Sequence, residues 1–65
     1  MTNKEWLNTL SDYACALFCI DWLPLIGRDS TSSVQAISDW LGYEYNPDYH
    51  VIKNFNEMLR LYNLK

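Results

Sequence analysis

The side chains best suited to chemistry in this chain are two thiols, Cys15 and Cys19, and one imidazole, His50. The thiols stand four residues apart in "YACALFCIDWL", one helical turn from each other, where the two Cβ atoms are too distant for an unstrained disulfide. A redox pair needs a C-x-x-C spacing or cationic neighbours that lower a thiol pKa, and neither is present. A zinc site needs four ligands; Cys15, Cys19, His50 and a carboxylate such as Asp21 supply the number without any characteristic spacing. No serine or cysteine is tied to His50 by a nucleophile motif, and Asp39 and Glu44 are acids of the kind any small surface carries. With only Gly27 and Gly42 there is no glycine-rich phosphate loop. The expectation is a chain that is not an enzyme and takes no cofactor and no metal, its cysteines serving as small hydrophobes.

Composition narrows the class further. Sixty-five residues allow one domain, 1–65, of marginal stability, and three Trp, five Tyr and two Phe supply the dense core that such a domain needs. A net charge of −3 disfavours loose attraction to nucleic acid or anionic membranes and suits a partner with a basic surface. The polar start "MTNKEWLN" has no signal-peptide character, and the run "ACALFCI" is far shorter than the roughly 20 residues of a membrane span. A reduced, cytoplasmic protein is expected.

Three helices must position these residues. Thr2-x-x-Glu5 is a capping box, and Trp6, Leu10, Tyr13, Ala14 and Leu17 fall on one stripe, with Leu7 and Ile20 at its margins, so a helix is predicted over about 3–22. Pro24 is expected to end it and residues 24–31 to form a loop. Thr31 or Ser32 as cap, with Gln35 as the reciprocal partner of Ser32, predicts a second helix over about 32–41, with Val34, Ile37, Trp40 and Leu41 inward and Gly42 as a left-handed terminator. Asn46-Pro47 predicts the start of a third, to about Asn63, with Val51, Ile52, Phe55, Met58, Leu59 and Tyr62 inward. "YEY", Tyr43–Tyr45, is a short extended piece. The fold class is all-α, a small three-helix bundle.

The second half of the first helix is apolar on two sides. Cys15, Phe18, Cys19 and Trp22 lie opposite the Trp6 stripe, and two further helices cover one broad face but hardly both. This face is therefore either wrapped by "LPLIGRDS" or covered by another molecule. A second copy or a foreign protein would bind there with Trp22 as anchor. The functional expectation is a protein-interaction module acting by stoichiometric binding, similar in general character to inhibitors that phages and mobile elements direct at host defence or nucleic-acid machinery.

The segment from Ser33 to Tyr62 has helix-turn-helix order. Through Ala36 and Ile37, the turn Leu41-Gly42-Tyr43, and Tyr49 and Phe55, it distantly resembles one such unit of AraC-type transcription regulators. The resemblance covers under half the chain. It implies a DNA-binding alternative in which the last helix presents His50, Lys53, Asn54 and Arg60 to a major groove.

Overall fold

Thr2 opens the first helix as its spacing with Glu5 requires. In the computed structural model, which describes residues 1–28 and 31–63, the Glu5 amide donates to the Thr2 hydroxyl at 3.2 Å and the Thr2 amide donates to the Glu5 carboxylate at 2.8 Å. Two amides that a helix start leaves bare are thereby satisfied. The Thr2 backbone amide foremost, and the Thr2 side-chain hydroxyl after it, hold the Glu5 carboxyl below its ordinary pKa.

Helix α1 is short, Asn3–Asn8. The single helix expected over 3–22 is interrupted at residues 9–11, where hydroxyl side chains compete for the backbone. The Thr9 hydroxyl donates to the Trp6 carbonyl at 2.6 Å, while Ser11 turns extended and caps a new helix by accepting from the Ala14 amide at 3.2 Å. Such hydroxyls favour helix ends over interiors. Helix α2, Asp12–Leu17, then continues through a π-helical turn, Phe18–Trp22, into helix α3, Leu23–Gly27.

Pro24 therefore does not end the helix. It lies in the first turn of α3, where a missing amide costs little. In the wide turn before it the Leu23 amide bonds the Phe18 carbonyl, five residues back. That winding departs from the four-residue ladder in which the proline ring would strike a carbonyl. Of the expected 24–31 loop, residues up to Gly27 are helical, and Asp29 and Ser30 lie outside the described residues.

Ser32 caps helix α4, Ser33–Gly42, by accepting from the Gln35 amide at 3.3 Å. The Gln35 side chain turns to Asp39 instead of completing the reciprocal cap, Nε2 donating to Oδ1 at 2.8 Å. Gly42 has no positive φ; α4 ends because Tyr43 is extended and the amino-terminal segment satisfies the carbonyls there. The Asn3 amide donates to the Tyr43 carbonyl at 2.9 Å, the Asn3 side-chain amide to the Trp40 carbonyl at 2.7 Å, and the Tyr45 amide to the Met1 carbonyl at 2.8 Å. "YEY" is thus extended, with Glu44 facing Thr2 in an isolated antiparallel pair.

Asn46 makes a local turn instead of a helix cap, its Oδ1 accepting from the Asp48 amide at 2.9 Å. Pro47 falls inside that turn, and helix α5 begins at His50 and runs to Leu61. Val51, Ile52 and Phe55 are buried as expected, whereas Val34 and Tyr62, assigned to inner stripes, are exposed at the ends of their helices. The result is a small all-α bundle. Among the described residues no helix is long and apolar enough to cross a membrane.

The core is built on aromatic rings. Phe18, fully buried, stands edge-on to Trp6 at 5.3 Å and to Phe55 at 4.9 Å, and stacks on Trp40 at 5.8 Å. Trp6 also stacks on Tyr45 at 5.2 Å. Each such pair contributes about 0.5–1.5 kcal/mol beyond the area it removes from water.

Helix α3 packs closely on α4 because Gly27 has no side chain. The Ser33 hydroxyl donates to the Gly27 carbonyl at 3.2 Å, and a Cβ built on Gly27 would lie 3.2 Å from the Ser33 Cα. Gly27→Ala gains about 0.5–1 kcal/mol in helix propensity but forces backbone apart, which costs about 1–3 kcal/mol. Overpacking is expected to prevail, with a fall in Tm of several degrees by circular dichroism. An unchanged or higher Tm would show that the α3–α4 contact yields without cost.

Candidate binding surfaces

The interruption at residues 9–11 restarts the helical phase, and this decides which side chains face out. Phe18, expected on an interaction face, is the centre of the core. Trp22 is half-buried with its ring edge-on to Phe55 at 5.5 Å. Cys15 is half-buried, and only Cys19 of the four is exposed. Conversely Tyr13 and Ile20, expected on the core stripe and its margin, are 66% and 73% exposed. The apolar surplus of this segment is real but sits on Tyr13, Ala16 and Ile20, at helical spacing along α2 and the π turn. A 100° step carried unbroken from Trp6 to Trp22 misassigns them. Ser11-Asp12, a cap residue followed by an acid, is the sequence signal that marks the restart.

The thiols show how burial acts on chemistry here. Partial burial first, and then the neighbouring Cys15, push the Cys19 thiol above its ordinary pKa, so it stays protonated at neutral pH. His50 stands on α5 with its ring edge-on to Tyr49 at 4.8 Å. Among the described residues no three His, Cys, Asp or Glu side chains gather as metal ligands.

His50, Lys53, Asn54 and Arg60 are all exposed along α5. Arg60 spends its fork on Glu57, donating through Nε at 3.3 Å and through Nη2. That bond raises the Arg60 pKa and lowers that of Glu57. Within the bundle α5 makes its main backbone approach to the π turn, and α4 to α3 and α1.

A third surface was not legible in the sequence. Between α1, α4, residues 43–49 and the apolar side chains of Ile26 on α3 and Ile52 on α5 lies an open groove of about 490 Å³. Asp39 and Glu44 stand at it, together with the rings of Trp40, Tyr43 and Tyr49. Glu44 pairs with the Met1 ammonium at 2.8 Å, and this bond raises the pKa of the amine. Asn3 also lines the groove; it is 2% exposed, and its Oδ1 is buried with no hydrogen-bond partner. In sequence Asn3 is merely a polar residue inside a capping box. Its role depends on a contact with Trp40, 37 positions away.

Fold and surfaces together define a small all-α bundle with an apolar stripe, a mixed-charge helix face and a groove of mixed polar and apolar lining. The chain matches no protein-family model, no curated protein and no solved structure.

Two outcomes follow for these surfaces. Cys19 should react with a disulfide reagent more slowly than a free cysteine at pH 7, with its rate rising at higher pH than that of a free cysteine; a fast reaction at neutral pH would reveal an activated thiolate. Duplex DNA should bind no tighter than the non-specific range of about 10⁻⁴ to 10⁻⁶ M at physiological salt. A nanomolar, sequence-specific complex weakened by Lys53→Ala and Asn54→Ala would instead make α5 a recognition helix.

Proposed function

We propose that this chain is a non-enzymatic protein-interaction module that acts by stoichiometric binding. The observation that carries this reading is the apolar stripe of Tyr13, Ala16 and Ile20, left open on a domain whose aromatic core is complete without it. Exposed apolar side chains that adjoin one another mark interaction surfaces more often than isolated ones do. An aromatic at the centre of such a surface carries a large share of binding energy. The partner surface that suits a chain of net charge −3 is a basic one. Inhibitors from phages and mobile elements that occupy basic grooves of host defence or nucleic-acid machinery are the functional type proposed. Free thiols are in keeping with a cytoplasmic setting.

The test is the double variant Tyr13→Ala with Ile20→Ser. Both side chains are largely in water, so its Tm should stay within a few degrees of wild type. Affinity for a partner captured from the native host should fall about thirtyfold or more, in line with a loss of about 2 kcal/mol at an interface centre. Sedimentation of the chain alone separates the other occupant, a second copy, which would make wild type a dimer and the variant a monomer. Unchanged affinity and unchanged association state would sink the proposal.

A further inference from the structure

We propose that the stripe of Tyr13, Ala16 and Ile20 seats one α-helix of the protein partner, an amphipathic helix with Lys or Arg on both margins of its apolar side. This rests on the interaction reading above and adds to it the shape and the charge of what binds.

The shape comes from the order of sizes along the stripe. Tyr13 and Ile20, both largely in water, stand seven residues apart, which is about two helical turns or about 10 Å. Between them Ala16, also exposed, projects only a methyl group. The stripe is therefore a notch between two large side chains on a convex rod, α2 with the π turn. A flat partner surface would rest on the tyrosine and the isoleucine and bridge over Ala16, and the gap left there forfeits contact energy on both sides. A crossing helix fills the notch with a row of its own side chains, as ridges pack into grooves.

The charge comes from what flanks the stripe. Asp12 precedes Tyr13 and Asp21 follows Ile20, and one residue is about 100° of helical turn, so the two carboxylates fall on opposite margins. Both are exposed, and among the described residues neither takes part in a salt bridge. Asp12 has a local reason to be acidic, since it stands in the first turn of α2. Asp21, in the middle of a continuous helical run, has none. From Glu5 to Gly27 the chain holds no Lys, Arg or His. A second copy docked stripe to stripe would gather four carboxylates around one apolar contact with no cation from either segment to meet them, and like charges so placed oppose association. A partner helix with basic residues beside its apolar row meets both carboxylates, and their methylene stems extend the apolar contact at its rim.

The experiment is a two-dimensional ¹H–¹⁵N titration of the full chain with helix-length peptides of about five turns. The probe has Leu along one side and Lys on both margins. One twin carries Glu for every Lys, and a second keeps the Lys but has Pro in its central turns, so that it holds the charge without the helix. The Lys probe should shift the backbone amides of Tyr13, Ala16 and Ile20 in a saturable way. Both twins should bind about tenfold more weakly or worse. Ala16→Leu fills the notch at an exposed position, so Tm should stay within a few degrees while the Lys probe weakens about tenfold. Asp12→Asn with Asp21→Asn should weaken the Lys probe by a similar factor and bring the Glu twin level with it. No saturable shift at the stripe, equal binding of either twin, or indifference to Ala16→Leu would overturn the proposal. So would a wild type that sediments as a dimer through this face, which would make the occupant a second copy. The two readings fail separately in the affinity of a captured partner. Loss in Tyr13→Ala with Ile20→Ser but none in Ala16→Leu or in the double Asp→Asn variant keeps the interaction surface and removes the basic helix; no loss in Tyr13→Ala with Ile20→Ser removes the surface itself.

Discussion

The contact of the Phe18 ring with Trp6, Trp40 and Phe55 joins α1, α4 and α5 through one side chain. A chain of 65 residues has little surface to remove from water, so where its few large rings meet decides whether it folds. Edge-on and stacked geometries are directional, and they require Phe18 to arrive at the centre from one particular position on the backbone. The π turn supplies that position. Phe18 begins the turn and Trp22 ends it, and both rings reach Phe55. Pro24 and Gly27 complete the segment, the first accepted by the wide winding and the second letting α3 close on α4.

From this arrangement the outward surfaces follow. With Phe18 and Trp22 committed to the core, the opposite side of the same segment must show Tyr13, Ala16 and Ile20 to solvent. With α4 held against α1, the amino-terminal segment reaches the end of α4 and closes one side of the groove at Asn3. The two surfaces differ in their lining: the stripe is apolar, while the groove sets Asp39 and Glu44 beside apolar and aromatic side chains.

Much of the fold was legible because it is local. The Thr2 and Glu5 box, the Ser32 cap and the inner stripe of Val51, Ile52 and Phe55 each depend on residues within two turns. The interruption at residues 9–11 was harder to see, because two hydroxyls compete there with an apolar pattern that continues on both sides. The π turn has no composition of its own, and Pro24 carries the same signal whether it ends a helix or opens one. The groove was out of reach for a different reason. One side of it is made by a pairing between the first residues and the far end of α4, and nothing in the spacing of Asn3 announces a partner 37 positions on.

The π turn also bears on how this chain is compared with others. Its i to i+5 winding accommodates one residue more than an α-helical turn in the same length. A homologue lacking one residue between Phe18 and Trp22 would wind as ordinary helix there, and α3 would leave the turn in nearly the same phase, with its glycine still against the start of α4. In an alignment, a one-residue gap at this place is thus compatible with the same core, because the π turn absorbs the extra residue locally.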